Sequence, residues 1–524
     1  MEAVLKDKIQ IRNMQMIRIP YRVAAISSIG YLVLPICIFF LTWLKIYLGI
    51  PATIIVLFGF YRLIKSTYLD SKDILEIPVK HFLFLSFLLL LWIWTTGIGN
   101  FFVSAYDHPW RNAIFRDLIL YDWPVVYPET GNALIYYFFY WLVPALMGKL
   151  LGWTAGNIAL FLWTYLGVFL VFLLLLHVCH AMSSSVIWVC AILLFGWSGL
   201  NTVGAAISQI LNMNLYSFSL NNGLGWLDAL FNGYSFNFFY RSNHETLTQI
   251  FNQAAPLWLI TLLTYENRKS VQNFAFLGLC LLPFAPLPFI GLLILLLSYF
   301  IHWIYISKKE KLKIPYLRTI FSLQNIAASI TVFPVVLLFF MSNRTTSSSD
   351  GGGFMILPLE LFDTKRIVGI ILFWILQFGI IALLLYSENK KNYLYYVIVF
   401  SLMFIPFFEF GKHGGRDFCM NASLPALFLL MVLAIQYIEK KVLDKKLSLK
   451  SVALIVVLTL SMLSPIQDIA GKVDTILDLK QFPIVNDSVY SFGNIEEENI
   501  SQNYMENFLV PNPEDTIFFK YLAK

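Results

Sequence analysis

The feature that most limits this chain is the recurrence of apolar runs of about 20 residues, the length a helix needs to cross a bilayer while satisfying its own backbone hydrogen bonds. Such runs stand at about 23–44, 47–64, 81–100, 155–178, 184–204, 250–266, 271–284, 286–306, 318–341, 366–386, 393–409, 419–438 and 450–465. They predict an all-α, polytopic membrane protein with about thirteen transmembrane helices. Composition agrees, since 13% of residues are charged where a soluble chain carries about 25%. The runs at 250–266 and 271–284 are short, and Pro283, Pro286 and Pro288 lie at and just beyond the end of the second, so broken or half-length helices are expected there.

Charge sets the expected topology. The N-terminal segment 1–22 carries Lys6, Lys8, Arg12, Arg18 and Arg22, and reads as a cytoplasmic, surface-lying helix. The stretch 133–151 decides the sidedness of every later loop. If it crosses, the lysines of 308–313, 390–391 and 440–446 all fall outside, against the positive-inside bias; if it lies along the surface, they fall inside. The second reading makes it an amphipathic interfacial helix belted by Tyr136, Tyr137, Tyr140 and Trp141. The outer face then receives loops 101–154, 205–249, 342–365 and 410–418 and the extracytoplasmic tail 466–524. The transmembrane domain is 23–465, and nearly all elaboration is external, which is where function is expected.

Several chemistries are excluded or unsupported. Cys37, Cys179, Cys190, Cys280 and Cys419 lie in or beside apolar runs without a CxxC pair, so neither a disulfide framework nor structural zinc is expected. The net charge of +6 resides in short loops and reports topology, not nucleic acid. There is no phosphate loop, nucleophile elbow, zincin motif or DxD pair. With no nucleotide site inside, an activated donor would arrive through the membrane, as a polyprenyl-phosphate carrier does.

Three polar groups interrupt the external surface. The first and densest is 105–127, holding Asp107, His108, Arg111, Arg116, Asp117 and Asp122. Asp107 comes after the third run, and the cations around it would keep it ionised and hold a phosphate nearby, which suits a base that takes a hydroxyl proton. Asp117 is the spare catalytic candidate, with a helix-cap or ion-pair role as its alternative, and Asp122 stands behind it. The second group is Tyr240 to Thr246, where Arg241 and His244 would meet phosphate and Glu245 would be a second carboxylate. Lys412, His413 and Arg416 form the third, around two glycines that let a pyrophosphate approach the backbone. Arg344 and the glycines at 351–353 read as a loop that closes over substrate or as a plain linker.

The layout resembles the GT-C superfamily of integral-membrane glycosyltransferases. The likeness rests on Asp107 after a span, on Trp123-Pro-Val-Val-Tyr127, and on the Tyr- and Phe-rich stretch from Leu134 through Pro144 to Gly152, similar to the family's interfacial helix. The resemblance implies Asp107 as general base, phosphate contacts from Arg111, Arg241, His244 or Arg416, and inverting transfer from a polyprenyl-phosphate-linked sugar to a glycan or lipid acceptor. No cofactor is fixed by it, and a divalent cation stays open. This chain departs in having three spans before the acidic loop, which preserves sidedness. A polysaccharide polymerase or ligase is the alternative enzyme, and a lipid or small-molecule transporter or flippase the alternative class; the latter predicts central charges and an internal repeat.

Overall fold

The computed structural model describes residues 15–66, 73–105, 107–181, 183–210, 238, 240–311, 315–343, 354–357, 360, 362–410, 415–443, 448–480, 491–493 and 508–524. The helices among them, in chain order, are α1 Tyr21–Trp43, α2 Ile46–Ile64, α3 Val79–Thr95, α4 His108–Leu120, α5 Leu142–Leu151, α6 Trp153–Val178, α7 Ser184–Gly196, α8 Asn201–Ile210, α9 Asn243–Gln249, α10 Phe251–Glu266 and α11 Phe274–Leu279. They continue as α12 Pro286–Lys309, α13 Tyr316–Ile320, α14 Leu323–Ile330, α15 Val332–Met341, α16 Thr364–Trp374, α17 Ile380–Asn389, α18 Tyr393–Phe404, α19 Gly415–Ala422, α20 Leu424–Leu443, α21 Leu449–Ser461 and α22 Leu463–Leu479.

Among the described residues, eight helical stretches are long and apolar enough to cross a membrane: α1, α2, α6, α12, Leu323–Met341, Ile367–Asn389, Asp417–Val442 and Leu449–Asp478. The protein is therefore an integral, multi-pass, mostly helical membrane protein. Shorter apolar helices at Val79–Thr95, Phe139–Leu151, Ser184–Gly196 and Tyr393–Phe407 accompany them. The run at 250–266 gives the 16-residue α10, buried from Phe251 to Tyr265, and 271–284 keeps only the six-residue α11. Both are enclosed by protein, so neither needs to present a full bilayer's depth of apolar surface.

Two ends of the bundle are distinct. At one, strand β1 Met16–Pro20 pairs antiparallel with β2 Ile74–Pro78. Residues 16–20 therefore form a strand where a surface helix was expected, because each five-residue alternating segment closes on a proline that starts the next helix. Arg18 Nε meets Glu76 Oε1 at 3.0 Å, Tyr21 stacks on His177, and Lys440 and Lys441 both reach Glu388 at 2.7 Å.

The other end, here the site end, carries the connection from α1 to α2 and the polar segments between α3 and α6. The last residues of the chain are bound to it: Lys45 N–H donates to Leu522 O at 2.8 Å and Lys524 N–H to Trp43 O at 2.9 Å. Strand β3 Ala133–Leu134 pairs with β6 Leu509–Val510, while β4 Phe354–Ile356 pairs with β5 Phe408–Phe410. Phe39 stacks on Phe139 at 4.3 Å and meets Phe339 and Phe518 at 5.2 and 6.1 Å, while Phe339 lies edge-on to Phe139 and Phe518 at 6.5 and 5.0 Å. This aromatic core fixes the tail to the helices.

Helix α5, at ten residues, spans about 15 Å and cannot cross alone. It doubles back against α6 through Gly152, whose φ of 88° is a left-handed value. A close backbone approach matters more elsewhere. On Gly291 of α12, a Cβ would stand 1.8 Å from the carbonyl oxygen of Ala422 in α19. Gly291→Ala should cost about 1–3 kcal/mol, because a backbone atom cannot rotate away; thermal unfolding in detergent measures it, and an unchanged midpoint would refute the close contact.

Candidate functional site

The turn after α3 prepares the site. Gly97, Gly99 and Asn100 all have positive φ, and Asn100 Nδ2 donates to Asn157 at 2.9 Å while Asn112 Nδ2 donates to Asn100 at 2.7 Å. This amide ladder ties the loop to α6 and α4, so that α4 begins with Asp107 at a fixed place. Arg111, one turn on, holds Asp107 Oδ2 at 3.2 Å. Its Nε donates to Gln249 O at 2.6 Å and its Nη1 reaches Tyr136 Oη at 3.4 Å. Arg111 is buried whereas the Asp107 side chain is 34% exposed. The carboxylate is thus steadied from below and open above.

Two predicted groups do meet. His108 Nε2–H donates to Thr248 O at 2.7 Å, which with the Arg111 bond locks α4 onto the end of α9. Burial pushes the His108 imidazole down to about 3, so it is neutral and serves as an anchor at physiological pH. On α9, Ser242 caps the helix by accepting from Glu245 N–H at 3.0 Å. The same turn sets Arg241 Nη1 at 3.7 Å from Glu245 Oε1, with both side chains at least nine-tenths buried. Burial first, and then the nearby negative charges of Asp468 and Asp107, push Glu245 up to about 7 against the pull of Arg241. Arg241 Nε, Glu245 Oε2 and Thr248 Oγ1 are buried with no hydrogen-bond partner among the described residues.

Sequence reasoning misses a third contributor. It ends the last span at 465, but α21 runs on into α22 as one stretch, Leu449–Asp478, and brings Asp468 to His244 of α9 and Lys472 to the end of α3. His244 Nε2–H donates to Asp468 Oδ2 at 2.7 Å, its Nδ1 accepts from Trp92 Nε1–H at 2.9 Å, and Lys472 Nζ lies 3.2 Å from the same Oδ2. Lys472 also donates to Thr95 O at 3.2 Å. A proton on Nδ1 would oppose the Trp92 donor, and burial lowers the His244 imidazole. His244 is therefore a neutral link from α3 to α22, not a phosphate-meeting cation.

Arg116 and Asp117 lie farther along α4. Arg116 covers the Trp153 ring at 5.0 Å. Asp117 is fully buried, its Oδ2 accepting from Tyr127 Oη at 2.7 Å and from Phe492 N–H at 3.0 Å. It holds segment 491–493 to α4, and burial pushes its carboxyl up to about 6 despite those bonds. Lys412, His413, Arg344 and 351–353 lie outside the described residues; Arg416 stands in the first turn of α19. The neighbouring Asp417 is near enough to Tyr137 to raise its phenol, so α19 starts at the edge of the Arg111–Tyr136–Tyr137 group.

Asp117 yields a pH prediction. Its folded value of about 6 lies above the ordinary 3.8, so folding favours its protonated form. Its contribution is fully present below about 4 and is lost as pH rises through about 6, to a total of order 3 kcal/mol. Unfolding midpoints should fall across that window, and Asp117→Asn should flatten the fall; an equally steep profile in both proteins would refute it.

An uncharged polar group adjoins the charged one. Gln377 Nε2 donates to Asn201 Oδ1 at 2.9 Å and Thr202 Oγ1 to Gln467 Oε1 at 2.9 Å, Gln467 being next to Asp468. Gln377 sits in a π-helical turn, Ile375–Gly379, an irregularity that frequently marks function inside helices. Among the described residues, no three His, Cys, Asp or Glu side chains are disposed to hold a metal ion. Comparison of the chain with protein-family models, curated proteins and solved structures finds no match.

Proposed function

We propose that the protein is a membrane glycosyltransferase that moves a sugar from a polyprenyl-phosphate-linked donor to a glycan or lipid acceptor at the site end, with inversion and with Asp107 as general base. One observation carries the reading: a partly exposed carboxylate, Asp107, is gripped by Arg111 and lies near enough to Glu245 for its charge to act there, beside buried Arg241. A base needs access to a hydroxyl, and a departing phosphate needs cations in a low-dielectric wall. The uncharged amides and hydroxyls of Asn201, Thr202, Gln377 and Gln467 suit sugar hydroxyls, which no charged cluster alone would select.

In this reading α5 lies on the membrane surface, about thirteen segments cross, the N-terminus is cytoplasmic and the site end with the C-terminus is extracytoplasmic. The lysines of 440–441 at the opposite end, paired with Glu388, support that orientation. The test is transfer of labelled sugar by the purified protein in proteoliposomes, from a panel of polyprenyl-phosphate donors to glycan and lipid acceptors. Transfer from at least one donor is expected. Movement of donor across the bilayer without transfer would make the protein a flippase instead.

A further inference from the structure

We propose that Glu245 is the general acid of this transfer, giving its proton to the departing phosphate while Asp107 takes the proton of the incoming hydroxyl. The inference rests on the transferase reading and adds a residue and a role to it.

The geometry is that of an unfinished pair. Arg241, just before the Ser242 cap of α9, and Glu245, in its first turn, have side chains 10% and 5% exposed, and 3.7 Å is too long for a hydrogen bond between them. Glu245 Oε2 and Arg241 Nε have no partner among the described residues. Buried polar atoms are nearly always satisfied, so an open carboxyl oxygen beside an open guanidinium Nε–H calls for a ligand that both accepts and is held by charge. A phosphate oxygen does both.

The two carboxyl groups differ as acid and base must. Asp107 is one-third exposed and touches the Arg111 guanidinium, so water and a cation both reach it. Glu245 is faced by Arg241 from the segment just before α9, by Asp468 from α22 and by Asp107 from the start of α4; Lys472 is already engaged with Asp468. Enclosure beside two anions favours the protonated carboxyl. Groups whose surroundings differ in this way divide into acid and base.

The step balances. The acceptor oxygen bonds to the anomeric carbon as its proton passes to Asp107, and the bond from that carbon to the phosphate oxygen breaks with its electron pair on the oxygen. Without an acid the lipid phosphate leaves as a dianion in a poorly solvated site. With the Glu245 proton transferred to it, it leaves as a monoanion that Arg241 alone offsets.

The test uses the full-length protein in proteoliposomes, with a polyprenyl-phosphate-linked sugar that the unmodified protein transfers. Glu245→Gln should lower kcat about 10²-fold with KM changed less than about threefold. In the unmodified protein the rate should fall as pH rises through about 7, with loss of the Glu245 proton; the Gln variant should lack that limb, and Glu245→Asp should restore part of the rate with the limb displaced. Gln and Asp variants that both keep the unmodified rate and limb would overturn the acid assignment and leave the transferase intact. An Asp variant with lowered rate but an undisplaced limb would also overturn it, by marking a merely structural role. Absence of transfer by the unmodified protein from every donor would overturn the transferase reading, and the acid with it.

Discussion

Asp468→Ala should destabilise the protein by about 3–5 kcal/mol, the cost of leaving a buried charge without its partner. The carboxylate takes His244 Nε2–H at 2.7 Å and faces Lys472 Nζ at 3.2 Å, with Lys472 only 8% exposed. Removing it strands an ammonium and an imidazole N–H together, although Thr95 O still accepts from Lys472. Lys472→Ala alone should cost less, because Asp468 keeps the His244 donor. The double variant should recover part of the single loss, since the unpaired charge is then gone too. Unfolding midpoints of the three variants in detergent close the cycle. Strict additivity would mean that Asp468 and Lys472 act independently, and that α22 is not latched to α3 through them.

That latch lies just beyond the reach of hydropathy. A hydropathy count ends the last span where Gln467 and Asp468 begin, and it assigns the rest of the chain to a polar tail. The physical continuation is nevertheless written there: Ile466, Ile469, Val473, Ile476 and Leu477 keep a helical apolar spacing, and Asp468 and Lys472 stand four apart, on one face. The strands are legible by a similar route. Met-Ile-Arg-Ile-Pro at 16–20 and Ile-Leu-Glu-Ile-Pro at 74–78 share length, alternation and a terminal proline, with Arg18 set to meet Glu76 across the pair. Positive charge near the first span hides that pattern by suggesting a surface helix.

Asp107, Arg111, Arg241 and Glu245 stand out in the sequence because charge is rare in this chain and each lies beside an apolar run. Their roles are less legible. Residue type alone makes phosphate partners of both histidines, yet burial and fixed donors make them neutral links. Asp117 carries the same side chain as Asp107 ten positions away, but it is enclosed by Tyr127 and the 491–493 segment. Spacing within a loop does not reveal which carboxylate the tail will cover, since that depends on contacts across some 375 positions.

Asp107→Asn should lower transfer by about 10²–10⁴-fold, the range a positioned general base contributes. The amide is nearly isosteric and still accepts from Arg111 at the Oδ2 position, so α4 should keep its place on α9 through the His108 and Arg111 bonds to Thr248 and Gln249. What it loses is the capacity to take a proton. The loss should therefore fall on kcat, with donor KM changed little, since in this reading Arg241 holds the phosphate from outside α4. Arg111→Lys provides the contrast. Lysine keeps one positive charge but not the fork that spans Asp107, Tyr136 and Gln249. The Asp107 carboxylate should then keep a cation beside it and yet wander, giving a partial loss of rate together with a lowered unfolding midpoint. Equal transfer by Asp107→Asn and the unmodified protein, in variants with the same unfolding midpoint, would remove Asp107 from the chemistry and leave it an anchor for Arg111.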